Sequence, residues 1–287
     1  MKPEPPLLGS RETLQPFTRE LWQLKWRPND ALDLWVILPA RVKNSPVVLY
    51  IYGFPADTAR FRDVGYAQRV TQNGAAAVGF MTAMTGHRAD HRPLKENFIS
   101  DLPEALASSV HDVQLILDYL QSRGDLDMSR VGIFGQGSGA TVAILAAAVD
   151  PRIKALDLLD PWGDWPQWYT LSRSFPDKDR ANYLKPEFLK QLEPLEPLKY
   201  LPQLKTQKIR IQYEADAGLP APVAEKIRSA APPTAQYVRY ETAVKMHDDT
   251  SGGRLFDWIA KQLDAKPAPR LAAQDSSPAV AGTAPPK

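Results

Sequence analysis

The sequence predicts an α/β fold: a mainly parallel sheet with helices on both faces and a cap insertion. Three observations carry this reading. Short apolar runs of strand length recur between stretches of helical periodicity. The inner runs, such as 47–52 and 131–134, are largely apolar without alternation, as strands covered on both faces must be. The strand-then-helix order persists along most of the chain, the pattern of parallel strands joined by crossovers.

Taken in order, residues 1–16 are rich in proline and are expected to be a loose lead-in. Two strands follow near 19–26 and 31–38, joined by the turn Pro28-Asn29-Asp30, so the sheet should begin with an antiparallel hairpin. The run Val47-Val48-Leu49-Tyr50-Ile51-Tyr52 is a buried strand stopped by Gly53. A helix near 61–72 leads to a strand at 75–82. Residues 104–122 place Val113, Ile116, Leu117 and Leu120 at helical spacing. The strand 130–134 passes through glycines into a helix of small residues, 140–148. Strands at 154–159, 209–213 and 237–241 and a helix at about 252–263 complete a domain spanning 17–265. Residues 161–205 break the alternation with prolines and aromatics, Trp162, Trp165 and Trp168 among them, and are expected to cap the carboxyl ends of the strands. Residues 266–287, rich in Ala, Pro and Ser, are expected to be a disordered tail.

Composition narrows the function classes. A chain of 287 residues suits one large domain. Its 35 basic and 33 acidic residues form no basic stripe, so nucleic acid is not an expected partner. With no cysteine, disulfides, thiolate catalysis and Cys-ligated zinc are excluded. No apolar run is long enough to span a bilayer, and the first residues lack the apolar core of a signal peptide. The compartment and the oligomeric state are left open.

The segment Arg130-Val131-Gly132-Ile133-Phe134-Gly135-Gln136-Gly137-Ser138-Gly139-Ala140 is the most informative part of the chain. A β-branched strand runs into a glycine-rich turn and then a helix, the setting that a Gly-x-Ser-x-Gly nucleophile elbow requires. With these residues the chain resembles the α/β-hydrolase superfamily, in the branch of dienelactone-hydrolase-like and acyl-peptidase-like serine esterases, over roughly residues 17–265. The resemblance puts Gly137 where the nucleophilic serine would stand, flanked by the small residues Gly135 and Gly139. A register shifted by one makes Ser138 the nucleophile, with bulky Gln136 and Ala140 as its flanks.

The same resemblance implies an acid after the penultimate strand, where Asp216 lies, with Asp160 and Asp164 as weaker candidates. It implies a base in the loop between the last strand and the closing helix, where His247 lies. The order elbow, Asp, His is that of the family. Where the family has His-Gly after its third strand, this chain has Tyr52-Gly53-Phe54-Pro55. The backbone N–H groups of Phe54 and Ser138 are the expected oxyanion donors. Tyr52, Trp162 and Trp165 are candidate substrate contacts, and Tyr52 is equally readable as packing beside Tyr50. Taken alone, a turn aspartate is commonly a cap and a single loop histidine is commonly just solvated.

Other signals are weaker. His87 and His91 lack the glutamate of a metalloprotease motif, and His111 reads as a helix surface residue. The glycines of 135–139 echo a dinucleotide loop, but four earlier strands argue against it. No metal or organic cofactor is implied. Arg88, Arg92 and Lys95 are candidates to read a carboxylate at a pocket mouth. Glycine at 137 carries no oxygen, so no acyl-enzyme can form there. The expectation is a catalytically impaired hydrolase relative facing a small-molecule ester or peptide-like ligand. An active esterase using Ser138 and a non-catalytic ligand-binding protein are the alternatives.

Overall fold

The computed structural model describes residues 4–27, 30–56, 58–85, 88, 101–173, 177–206, 208–215 and 219–267. Nine strands are found among them: β1 (Leu7–Leu14), β2 (Phe17–Arg27), β3 (Asp30–Pro39), β4 (Ser45–Ile51), β5 (Ala76–Phe80), β6 (Leu126–Gln136), β7 (Ile153–Leu159), β8 (Lys208–Glu214) and β9 (Gln236–Tyr240). They form one sheet in the order β1-β2-β3-β5-β4-β6-β7-β8-β9. The first three are antiparallel to one another, and β3 is antiparallel to β5. From β5 to β9 every pairing is parallel.

The helices are α1 (Val64–Thr71), α2 (Leu102–Arg123), α3 (Ser138–Val149), α4 (Trp165–Leu171), α5 (Arg180–Tyr183), α6 (Pro186–Leu192), α7 (Pro197–Tyr200), α8 (Ala221–Ala230), α9 (Ala243–Thr250) and α10 (Asp257–Gln262). The sheet separates two cores. On one side α2, α3, α8 and the aromatics of α4 to α6 pack against Val47, Leu49, Ile133 and Leu156. On the other, Tyr66 and Val70 of α1 and Ile259 of α10 pack against Val48, Tyr50 and Phe134. Strands β4 and β5 are buried throughout, which is why their sequences do not alternate. This is the α/β-hydrolase fold.

Three segments differ from expectation. Residues 7–14, expected within a loose lead-in, form β1 on the outer edge. It lacks an apolar pattern because nearly all of it is exposed. It is held to β2 by its ladder, with a register shift between Leu8 and Ser10, and by the ion pairs Arg11–Glu20 at 2.8 Å and Arg19–Glu12 at 2.5 Å. Residues 243–250, expected to be loop, form α9. Its start is capped by the Thr242 hydroxyl, which accepts the Lys245 N–H. Residues 161–205 are the crossover from β7 to the parallel β8. They begin beside the elbow, and Gln203 and Lys205 line a groove of about 590 Å³ at the opposite end of the sheet. Trp165, Trp168, Tyr169 and Tyr183 of this crossover are buried in the core. Of the tail expected from 266 onward, all beyond Pro267 lies outside the described residues.

Among the described residues, no helix is long and apolar enough to cross a membrane, and no cluster of His, Asp and Glu could hold a metal ion.

Candidate functional site

The parallel register brings the carboxyl ends of β4, β6, β7, β8 and β9 to one edge of the sheet, and the elbow sits at its centre. Gly137 is the turn residue between β6 and α3, with φ 56° and ψ −123°. Side chains rarely adopt this conformation, and at an elbow it aims whatever stands there out of the turn. The Gly137 N–H donates to the Leu159 carbonyl at 2.9 Å, which fixes the turn against β7. Its neighbours must be small for steric reasons. A Cβ at Gly135 would lie 2.6 Å from Ala140 Cα, and one at Gly139 would lie 2.1 Å from the Ile51 carbonyl oxygen. At Gly137 itself there is room: a Cβ would meet Trp162 Nε1 at 3.4 Å and Gly53 Cα at 3.8 Å, both ordinary contacts.

The loop after β4 presses on this turn. A Cβ at Gly53 would lie 2.5 Å from the Gln136 carbonyl oxygen, so only glycine fits. This places the Phe54 N–H beside the first turn of α3, where it donates to Ser138 Oγ at 3.0 Å. Ser138 is fully buried. As the first residue of α3, it has a backbone N–H that cannot be bonded within the helix.

Trp162 is held over the slot by Thr141, a residue the sequence reading passed over. The Thr141 hydroxyl donates to the Trp162 carbonyl at 2.9 Å and accepts the Trp162 N–H at 3.1 Å. Thr141 is the only hydroxyl residue within the apolar run 139–149, and that was the available signal. The Trp162 ring packs on Trp168 with centroids 4.6 Å apart. Trp165 lies behind, 2% exposed and edge-on to Trp168, so its ring is in the core and not at the slot.

Tyr52 turns away. Its hydroxyl meets that of Tyr66 at 2.7 Å under the Arg60 guanidinium, and burial pushes its ionisation up. Arg88 is not free to read a ligand. Its buried guanidinium forks onto Asp30 at 2.8 Å and reaches Asp112 at 2.6 Å, while Asp112 also accepts the Trp26 indole N–H. Arg92 and Lys95 lie outside the described residues, as do His87 and His91. His111 is exposed and contacts Gln114.

Asp216 lies outside the described residues. Its segment follows β8, whose end is joined to β9 by the Ala215 N–H donating to the Tyr240 carbonyl. His247 is exposed on α9, after β9. Asp160 follows β7 with φ 47° and accepts the Glu214 N–H at 3.0 Å; burial pushes its carboxyl up to about 7. Asp164 pairs with Lys226 at 2.5 Å.

No protein-family model and no curated protein sequence matches the chain. Solved structures do. An acetyl xylan esterase from Paenibacillus sp. R4 superposes with a TM-score of 0.67 at 15% identity, over 88% of this chain and 87% of that one. The acylaminoacyl peptidase of Pyrococcus horikoshii gives 0.64 at 16% identity, over 87% of this chain and 40% of that longer one. An S-formylglutathione hydrolase from Agrobacterium tumefaciens gives 0.57 at 16% identity, over 89% and 99%. At these identities the likeness is one of fold.

Proposed function

We propose that this chain is a relative of serine ester and peptide hydrolases whose nucleophile slot is emptied by Gly137, and whose pocket faces a small ester or peptide-like ligand. In this reading Asp216 and His247 occupy the acid and base slots, the Phe54 and Ser138 N–H groups are the oxyanion donors, and Trp162 is the ligand's nearest aromatic neighbour. One observation carries it: Gly137 has the backbone of an elbow residue, with space for a side chain and none present. Removing the nucleophile from a triad leaves only about 10³–10⁴-fold acceleration over water. The esterase and peptidase activities named for the structural neighbours favour the ligand class. The full burial of Ser138 weighs against its serving as nucleophile in a shifted register.

The test is hydrolysis of short-chain p-nitrophenyl esters by the chain, by Gly137→Ser and by Gly137→Ser/His247→Ala, together with fluorophosphonate labelling. The expected result is silence in the chain, and labelling and His247-dependent turnover in Gly137→Ser. Turnover by the unaltered chain that disappears in Ser138→Ala would overturn the reading in favour of an active Ser138. Neither labelling nor turnover in Gly137→Ser would favour a binding protein.

A further inference from the structure

We infer that Ser138 closes the oxyanion hole, so that the site is disabled at two places and not only at Gly137. This rests on the reading of Gly137 as the nucleophile slot. An oxyanion hole needs N–H groups aimed at the point where negative charge develops. Phe54 and Ser138 supply the two backbone candidates, from the loop after β4 and from the first turn of α3. The Phe54 N–H, however, already has an acceptor, Ser138 Oγ at 3.0 Å. A hydroxyl oxygen accepting that bond stands within the donor's reach, where a substrate oxyanion would have to be, and turns a lone pair toward it.

The hydroxyl has little room to leave. Ser138 has no exposed surface. Gly53 is pressed so close to the turn that a Cβ there would lie 3.0 Å from Ser138 N and 3.2 Å from Gly137 Cα. The loop carrying Phe54 and the helix carrying Ser138 are therefore locked together across 84 residues of sequence. The residue following a nucleophile is normally needed only for its backbone N–H. Here its side chain has a second effect, withholding the partner amide. Ser138 acts through Phe54 and is in this sense a positioning residue.

The experiment compares Gly137→Ser with Gly137→Ser/Ser138→Ala, and follows Phe54 amide exchange in the otherwise unaltered chain and in Ser138→Ala. Loss of one oxyanion donor costs about 10²–10³ in kcat. The double variant is therefore expected to exceed Gly137→Ser at least about 10-fold in kcat, with KM little changed. The Phe54 amide should exchange at least about 10-fold faster once Ser138 is alanine. A double variant that labels with fluorophosphonate yet turns over no faster than Gly137→Ser overturns the inference, as does unchanged Phe54 exchange. If neither serine variant labels, the nucleophile-slot reading fails and this inference falls with it.

Discussion

Asp160 Oδ1 accepts the backbone N–H of Glu214 at 3.0 Å, tying the carboxyl end of β7 to that of β8. The carboxyl pays for this position in protonation. Burial, and then the nearby Glu214 carboxylate, raise it from 3.8 to about 7. Between those pH values the folded chain holds a proton that the unfolded chain has lost. Stability therefore falls as pH rises through that window, and no difference remains below it.

Asp160→Asn keeps the acceptor oxygen and suits the left-handed backbone. It should stabilise the chain at pH 8 by on the order of 1 kcal/mol or more, and hardly at all at pH 4. Urea unfolding at the two pH values checks this. An equal effect at both would mean that the carboxyl does not titrate in the window.

The elbow glycines should rank by what a methyl group meets. Gly137→Ala has space and suffers only backbone strain, about 1–3 kcal/mol. Gly135→Ala and Gly139→Ala drive a Cβ into backbone atoms at 2.6 and 2.1 Å and should cost more. Thermal unfolding of the three variants gives the order. A Gly137→Ala chain as unstable as the other two would contradict the geometry.

Arg88 should matter for folding. Arg88→Ala leaves the buried Asp112 without its cation, while Asp30 keeps Arg27, and breaking a buried pair of this kind costs about 3–5 kcal/mol. Arg88→Lys should recover only part of this, because a lysine cannot fork onto Asp30. Urea midpoints of the two variants measure the difference.

Helix α9 should be separable from the core. It buries none of its residues, and Thr242 supplies its cap. Thr242→Ala should cost about 1 kcal/mol locally. Faster amide exchange across 243–250 with an unchanged core is the expected pattern. Faster exchange throughout the core as well would show α9 coupled to the rest.

The parallel strands were legible because burial on both faces leaves continuous apolar runs, as at 47–51. The elbow was legible because its glycines answer to clashes that any side chain would suffer. β1 was not, since a strand exposed along nearly its whole length carries no periodicity. α9 was not, since a helix with no fully buried residue, only Met246 packing part-buried on the core, has no apolar stripe to betray it. Contacts set by strand register were also hidden. Nothing local announces that Ser138 reaches Phe54, or that Arg88 is shared by Asp30 and Asp112, because β4–β6 pairing and sheet packing bring these residues together. Thr141 gave a hint, one hydroxyl in an apolar run, but its partner Trp162 lies beyond the next strand.

The outer edge of the sheet has a consequence for how the chain behaves in a crowd. A free strand edge is a template on which another chain can add a strand, and that is a common start of aggregation. In β1 the register shift between Leu8 and Ser10 interrupts the flat ladder, and Arg11 and Glu12 set charge along the rim. A strand arriving from another molecule would meet a broken row of backbone groups beside charged side chains. The leading segment thus works as a guard on the sheet, and trimming it would bare the longer and half-buried β2 to that kind of growth.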